Sequence, residues 1–253
     1  MVATLSPPAP SVARTAAGKS GAPALEIGGL HAWYGESHVL HGVDMRVEHG
    51  EVVTLLGRNG AGRTTTLKSI MGLVGRRSGS VMINGVEAVS LPPHAIARRG
   101  IGYCPEERGI FASLSCEENL MLPPEVASGG MGLDEIYAMF PNLKERRASQ
   151  GTRLSGGEQQ MLAVARILRT GAKMLLLDEI SEGLAPVIVQ TLAQMIRMLR
   201  EKGFTIVMVE QNFRFAAPLA DRFYVMEHGR IVESFDAAQL QEKMGMLHEY
   251  LGV

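Results

Sequence analysis

The sequence predicts an α/β fold with a mostly parallel central sheet. Continuous apolar runs, typical of strands covered on both faces, are VVTLL at 52–56, KMLLLDE at 173–179 and FTIVMVE at 204–210. Apolar residues at helical spacing follow the first run in TTTLKSIMGLV and lie between the last two in VIVQTLAQMIRMLREKG. Alternation of buried strands with amphipathic helices predicts a parallel sheet with covering helices.

The shorter strands are predicted from apolar segments that meet a turn. They are LEIGGLHAWY at 25–34, VDMRVEHGEVVTLLG at 43–57 with a turn at His49–Gly50, SGSVMINGVEAVSL at 78–91 with a turn at Asn84–Gly85, IGYCPE at 101–106, which Pro105 ends, and RFYVMEHGRIVES at 222–234 with a turn at His228–Gly229.

Three further segments are predicted to be helical. Residues Glu117 to Ala148 indicate a mostly helical, polar segment with a glycine-rich break at SGGMG. EQQMLAVARILRT at 158–170 predicts a strong helix, and the apolar spacing of 239–253 predicts a final docked helix.

Composition excludes several classes of protein. The chain has 253 residues, with 25 Lys+Arg against 26 Asp+Glu, which argues against a protein that covers nucleic acid with positive charge. Cys104 and Cys116 match no zinc spacing and no disulfide framework, so a reducing compartment is expected. No apolar run approaches the ~18 residues of a membrane span, so a membrane role would need a partner.

The first 24 residues are rich in Ala, Ser and Pro and lack an apolar central block. A secretory signal is therefore not expected. Two basic residues and no acidic one are also compatible with a transit peptide, but a disordered lead-in at 1–24 before a single domain at 25–253 is the preferred interpretation.

The stretch GRNGAGRTTTL begins at Gly57, between a predicted strand and a predicted helix. Its spacing is that of the phosphate-binding pattern G-x-x-x-x-G-K-[ST], with Arg63 in the lysine position and Thr64 where a hydroxyl would bind Mg²⁺. Glycines let backbone N–H groups point at phosphate oxygens, and the helix adds its dipole. The alternative is a strand-to-helix turn without a ligand. The predicted nucleotide-binding residues here are Gly57, Arg58, Asn59, Gly60, Ala61, Gly62, Arg63, Thr64 and Thr65.

Two acids, Asp178 and Glu179, end the apolar run KMLLLDE. Ligands of open α/β sheets bind at the carboxyl ends of strands. Asp178 is predicted to hold Mg²⁺ through water, and Glu179 to position or activate an attacking water. Together with the glycine loop, these acids outweigh the alternative of a solvent-facing strand end and predict ATP binding.

In LSGGEQQ at 154–160, small residues stand directly before a predicted helix. They leave the helix N-terminus open as an anion site, although Ser-Gly-Gly also fits an ordinary N-cap.

A phosphate loop, LSGGEQQ and LLLDE, in this order, resemble the ATP-binding subunits of ABC transporters, and the resemblance runs from Leu25 to the end of the chain. GIGYCPEERGIF, LSCEENLMLP, DEISEGLAP and VMVEQN are similar to the shorter ATP-binding subunit of branched-chain amino-acid importers, although similar cassettes serve urea or other small amides. The resemblance implies a P-loop NTPase core, an antiparallel β subdomain and a helical signature subdomain at roughly 107–165.

The resemblance also implies roles for single residues. Tyr34 would stack on adenine, or else be a half-buried strand residue. Glu106 stands where most cassettes have a Mg²⁺-sensing glutamine, Gln211 where most have a histidine that contacts the γ-phosphate, and Ser181–Gly183 where the loop to the partner cassette lies. The expected catalytic residues are Glu179, Gln211 and Arg63, and the expected metal ligands are Thr64, Glu106 and Asp178. The expected nucleotide-binding residues are Tyr34, the glycine loop at 57–65, and Ser155, Gly156, Gly157 and Glu158.

In this family two cassettes enclose two ATP molecules head to tail. ATP and Mg²⁺ are therefore the expected cofactors. The expected partners are transmembrane permease subunits, a second cassette (self or sister) and, indirectly, an external solute-binding protein, with no nucleic acid. The expected location is peripheral, on the cytoplasmic face of the inner membrane.

Arg63 is the main departure from the family pattern. Arginine keeps the charge that binds ATP but is longer and planar, so turnover is less secure than binding. One alternative is therefore a cassette with little turnover that acts as a regulatory half. Another is a soluble ABC ATPase, although neither the second cassette nor the long coiled coil usual in such proteins is present in the sequence.

Overall fold

The computed structural model describes residues 21–251. The predicted lead-in at 1–24 therefore lies largely outside the described residues. Within the described part, Ala24 is already fully buried, and its carbonyl accepts a hydrogen bond from the amide of Asn84.

The central sheet has six strands and is mostly parallel, as predicted. Its order is β10-β9-β3-β8-β7-β6, and only the pair β9–β10 is antiparallel. The strands are β3 (Val52–Leu56), β6 (Ile101–Cys104), β7 (Met174–Asp178), β8 (Thr205–Val209), β9 (Arg222–Glu227) and β10 (Arg230–Asp236). Every residue of β3, β7 and β8 is buried, which explains their continuous apolar sequences.

A second, antiparallel sheet has the order β2-β1-β4-β5. Its strands are β1 (Leu25–Tyr34), β2 (Ser37–Val47), β4 (Arg76–Ile83) and β5 (Val86–Glu87). The Tyr224 hydroxyl of β9 links the two sheets, because it accepts from the Arg46 amide at 3.0 Å and donates to the Arg46 carbonyl at 2.9 Å. The predicted antiparallel subdomain is confirmed.

Helices cover both faces of the central sheet. Among residues 21–251 the α-helices are α1 (Arg63–Ile70), α2 (Pro93–Ala97), α3 (Cys116–Met121), α4 (Leu133–Met139), α5 (Pro141–Glu145), α6 (Gly156–Arg169), α7 (Pro186–Glu201), α8 (Phe213–Ala216) and α9 (Leu240–Leu251). Side chains of β7 alternate between two cores: Leu175 and Leu177 pack with α6 and α7, whereas Leu176 packs with α1 and the antiparallel sheet. The smaller core under α9 contains Leu247.

The prediction of a mostly helical segment from Glu117 to Ala148 was wrong for 122–127, which contains no helix, whereas the predicted break at SGGMG (128–132) is confirmed. Pro123 and Pro124 supply no amide hydrogen for the helical hydrogen bonds, so α3 ends at Met121 with Leu122 as its C-cap. The short helices α2 and α8 were not predicted, because four or five residues carry no readable helical periodicity. Among residues 21–251, no helix combines the length and the apolarity that a membrane crossing requires.

Candidate functional site

The glycine loop joins β3 to α1 at the carboxyl edge of the central sheet. Gly62 is the N-cap of α1 with φ 107°, and a Cβ there would lie 2.9 Å from Leu40 Cδ2. A Cβ on Gly57 would lie 2.5 Å from the Met226 carbonyl oxygen. The Gly229 amide donates to the Ala61 carbonyl at 2.8 Å. Glycine is therefore required at both ends of the loop, which is fixed against the β9–β10 hairpin.

The start of α1 suits an anion. Its N-cap, Gly62, offers no capping side chain, and no acidic residue lies in its first turn. The first N–H groups of the helix are thus not capped by a side chain of the N-cap, and the helix dipole adds partial positive charge. Phosphate oxygens are the natural partners of such a terminus.

Thr64 and Asp178, two of the predicted metal ligands, lie side by side. Thr64 Oγ1 donates to Asp178 Oδ1 at 3.0 Å, and the Tyr103 hydroxyl donates to Asp178 Oδ2 at 3.0 Å. Burial raises the pKa of Asp178, while the Thr64 and Tyr103 hydroxyls act in the opposite direction. A hydroxyl and a carboxylate with nearby oxygens are the donors that Mg²⁺ prefers, so this pair fits the ion.

Tyr103 was missed by the sequence analysis. It lies on β6, which pairs with β7, and its register partner is Leu176. The sequence did contain a signal: Tyr103 has a polar hydroxyl and stands two positions before Pro105, which ends the strand at the same sheet edge.

Glu179 and Arg63 form a buried ion pair. Arg63 Nη2 lies 2.7 Å from Glu179 Oε1 and also donates to Asn59 Oδ1 at 3.1 Å. The backbone of Glu179 has φ 48°, a value that residues other than glycine rarely adopt. The Glu179 amide donates to the Val209 carbonyl. Burial raises the pKa of Glu179 to about 8, and a hydrogen bond with Glu182 adds to the rise, whereas Arg63 opposes it.

Glu106, the third predicted metal ligand, lies near Asp178, where its charge adds to the effect of burial in raising the pKa of that carboxyl, and it also belongs to a cluster of acids. Carboxylate oxygens of Glu106, Glu179 and Glu182 all lie within 4.8 Å of one another. The structure thus brings Glu106 next to the predicted catalytic carboxylate, and Thr64 next to Asp178.

Gln211 follows β8 and lines a cavity of ≈ 580 Å³ together with Glu179, Ser181 and Glu210. Glu210, which the sequence analysis did not select, is 1% exposed and accepts hydrogen bonds from Ser181 Oγ at 2.7 Å and from the Ser181 amide at 3.2 Å. Burial raises the pKa of Glu210 to about 7, against the Ser181 bonds. The apolar run FTIVMVE ends in this acid as KMLLLDE ends in Glu179, and that parallel was the available signal.

Tyr34 ends β1 with 48% of its surface exposed, so its ring is available for stacking. The preceding Trp33 is already engaged: its ring stacks on His38 at a centroid distance of 4.3 Å, and the Arg76 guanidinium lies 4.7 Å from the Trp33 centroid.

The LSGG turn belongs to a separate part of the molecule. Ser155 caps α6 in a capping box: its Oγ accepts from the Glu158 amide at 3.3 Å, and its own amide donates to Glu158 Oε2 at 2.7 Å. Gly156 lies beside the guanidinium of Arg108, and Gly157 packs against Ile188 of α7. Within residues 21–251, no hydrogen bond or ion pair joins this turn to the glycine loop.

Comparison with known proteins gives consistent matches. The family model described as ABC transporter matches residues 40–182. The high-affinity branched-chain amino acid transport ATP-binding protein BraG of Pseudomonas aeruginosa is 42% identical over 90% of this chain and 99% of its own length. The probable branched-chain amino acid transport ATP-binding protein LivF of Archaeoglobus fulgidus is 38% identical over 84% of this chain and 92% of its own.

A relative with a different cargo also matches. The lipopolysaccharide export system ATP-binding protein LptB of Escherichia coli is 33% identical over 87% of this chain and 93% of its own length. Among solved structures, a dimeric post-hydrolysis state of an ATP-binding cassette bound to ADP and phosphate has a TM-score of 0.73 at 22% identity, covering 84% of this chain and 98% of its own. At 22% identity this structural similarity supports the fold alone.

Proposed function

This chain belongs to the ABC transporter family and is one of its ATP-binding subunits, and from that premise we propose that it hydrolyses ATP to power the uptake of branched-chain amino acids or a related small solute. The observation that carries the proposal is one hydrogen-bonded set at the sheet edge, in which Thr64 contacts Asp178 and Arg63 contacts Glu179. It joins the phosphate loop to the two acids that hydrolysis needs.

Each residue of the set has a role in the proposed reaction. The loop amides and Arg63 bind the phosphates, and Tyr34 stacks on the adenine. Thr64 and Asp178, with Glu106, would hold Mg²⁺, which would neutralise phosphate charge. Glu179 orients the attacking water and takes its proton, and Gln211 donates an amide hydrogen to the γ-phosphate.

The remaining elements of the proposal concern partners. A second cassette, a self copy or a sister, presents its Ser155–Glu158 turn to the nucleotide held by the first. Permease subunits take up the motion on the cytoplasmic face of the inner membrane, and an external binding protein delivers the solute to them. Relatives that serve branched-chain amino-acid transport support this cargo.

The first test compares the wild type with Glu179→Gln. The wild type should bind Mg-ATP saturably and hydrolyse it, whereas the variant should keep binding and lose at least about 100-fold in kcat, because water orientation and proton transfer are both lost. A folded wild-type protein that gives no saturable binding of Mg-ATP in titration calorimetry refutes the proposal.

The second test concerns the cargo, because the similarity to LptB, named for a lipopolysaccharide export system, supports export of lipopolysaccharide as the alternative. The cassette is reconstituted in proteoliposomes with its own permease subunits, any sister cassette and the external solute-binding protein, and ATP-dependent uptake of radiolabelled leucine and of radiolabelled urea is measured. Leucine uptake that disappears in Glu179→Gln supports the proposed cargo. ATP hydrolysis without uptake of either solute contradicts the proposed cargo and leaves the ATPase function standing.

A further inference from the structure

Arg63 uses only part of its hydrogen-bonding capacity. Its side chain is 4% exposed. One terminal nitrogen, Nη2, donates to Glu179 and Asn59, whereas the other, Nη1, is buried without a hydrogen-bond partner among the described residues. A buried donor of this kind is costly unless something accepts its hydrogen.

The position of Arg63 limits what can accept that hydrogen. The residue begins α1 directly after Gly62, at a helix terminus suited to anions. An arginine fork holds its two terminal nitrogens at a fixed separation, so it can donate to two different acceptors at once. A lysine ammonium on its flexible stem has no such fixed second nitrogen.

Glu179 needs an anchor on this side. Its oxygens lie within 4.8 Å of those of Glu106 and Glu182, so like charges surround it. The Arg63 ion pair at 2.7 Å is the positive contact that holds the Glu179 carboxyl at the edge of the loop.

We propose that Arg63 is a positioning residue for Glu179 as well as a phosphate ligand: Nη2 stays on the Glu179 carboxylate while Nη1 donates to a phosphate oxygen of ATP. This inference rests on the proposed function. The arginine in the lysine position then fixes the distance between the phosphate and the carboxylate that acts on the attacking water. The inference predicts that lysine, the usual residue of the phosphate-binding pattern, would support slower ATP turnover than arginine at position 63 of this chain.

The test measures ATP affinity and turnover separately. Arg63→Lys keeps the charge, so the Kd for Mg-ATP should stay within about threefold of the wild type, while kcat should fall at least about tenfold because Glu179 loses its anchor. Arg63→Gln should lose affinity as well. Asn59→Ala, which removes the other acceptor of Nη2, is the matched control and should change kcat less than Arg63→Lys. In a Glu179→Gln background, Arg63→Lys should cause no further fall in single-turnover rate.

The outcomes separate this inference from the proposed function. Arg63→Lys with the wild-type kcat or a higher one overturns the inference and leaves the ATPase function standing, whereas a wild type without ATP binding removes both. Should the variant fail to fold, a crystal structure of the wild type with Mg²⁺ and a non-hydrolysable ATP analogue decides. The inference requires Nη2 on Glu179 and Nη1 on phosphate, and an Arg63 that has left Glu179 overturns it.

Discussion

The glycine loop and the LSGG turn are both small-residue N-termini of helices, yet they are held by different kinds of contact. The loop depends on distant parts of the chain: Thr64 bonds to Asp178, 114 positions away, and Arg63 to Glu179, 116 positions away. The turn is held by its neighbours, because Ser155 and Glu158, three positions apart, satisfy each other.

The difference separates a site that the fold assembles from one that a helix presents. The loop's contacts need β3, β7 and α1 to be in place, and Thr64, Asp178, Arg63 and Glu179 all come from one chain. The turn is capped locally and has no bonded partner in the loop region of its own chain, as a surface offered to a second cassette would require. Changes at the loop should therefore affect nucleotide binding, and changes at the turn should affect only the steps after binding.

The two glycines of the turn give the largest expected effect. A Cβ on Gly157 would lie 2.7 Å from Ile188 Cγ1, so Gly157→Ala must displace the Ile188 side chain or move α6 away from α7. A Cβ on Gly156 would lie 3.5 Å from the nearest Arg108 nitrogen, an ordinary contact. Gly157→Ala should lower kcat by about 100-fold with little change in the Kd of ATP, because misplacement by about 1 Å costs that much. The fold-decrease in kcat caused by Gly156→Ala should be at least about tenfold smaller than that caused by Gly157→Ala.

Steady-state ATPase rates and ATP titration of the two alanine variants measure this. If Gly157→Ala weakens ATP binding to the isolated chain as strongly as it slows turnover, the turn and the loop are not independent and the comparison fails.

Two serine caps give a smaller effect with a built-in control. Ser155 caps α6 and Ser115 caps α3 with the same capping box, their hydroxyls accepting from the Glu158 and Glu118 amides at 3.3 and 3.2 Å. Replacing either serine by alanine should cost about 1 kcal/mol of unfolding free energy. Only Ser155→Ala should also reduce the ATPase rate, by about tenfold, since its hydroxyl lies at the proposed nucleotide contact.

Urea unfolding and ATPase assays on both variants make the test. Equal ATPase losses for Ser155→Ala and Ser115→Ala would reduce the LSGG turn to an ordinary helix cap.

The sequence predicted the turn better than the details of the loop, and the reason is the range of the contacts. Capping and hairpin signals are local: His228–Gly229 and Asn84–Gly85 were predicted as turns, and the structure gives all four residues positive φ. The strands β3, β7 and β8 were predicted because strands that are buried on both faces have continuous apolar sequences. The Arg63–Glu179 pair and the Tyr103 bond to Asp178 join segments far apart in the chain, and no local pattern encodes such a pairing.

Burial of polar groups was the second limit. An acid after an apolar strand has the same sequence pattern whether it faces solvent or, like Glu210, is enclosed with Ser181. In 122–127 the error had another cause, because the sequence shows Pro123 and Pro124 and the helical prediction was nevertheless extended across them.

The smallest expected effect is a difference in how two carboxyls make stability depend on pH. Glu210 lies at a strand end near the glycine loop, and Glu158 lies in the LSGG turn. Burial raises the pKa of Glu210 to about 7, with the neighbouring Glu182 adding to the rise and Ser181 and Arg63 opposing it. Between the ordinary value of 4.5 and about 7 the folded chain holds a proton that the unfolded chain has released, so stability falls as pH rises through this window and then levels off. For Glu158, partial burial acts upward, but hydrogen bonds from Ser155 and the Arg146 charge leave the pKa lowered, so its contribution is present at neutral pH and lost on acidification.

Glutamine replacements should therefore act with opposite signs. Glu210→Gln keeps an oxygen for Ser181 and removes the ionisation, so it should raise the melting temperature at pH 8, with the gain shrinking towards pH 4.5. Glu158→Gln should lower the melting temperature at pH 8, with the loss shrinking as pH falls below the ordinary value of 4.5. Calorimetric melting of both variants and the wild type across this range measures the effect. Parallel pH profiles for the two variants would mean that the strand-end region and the turn do not differ in how they hold their acids.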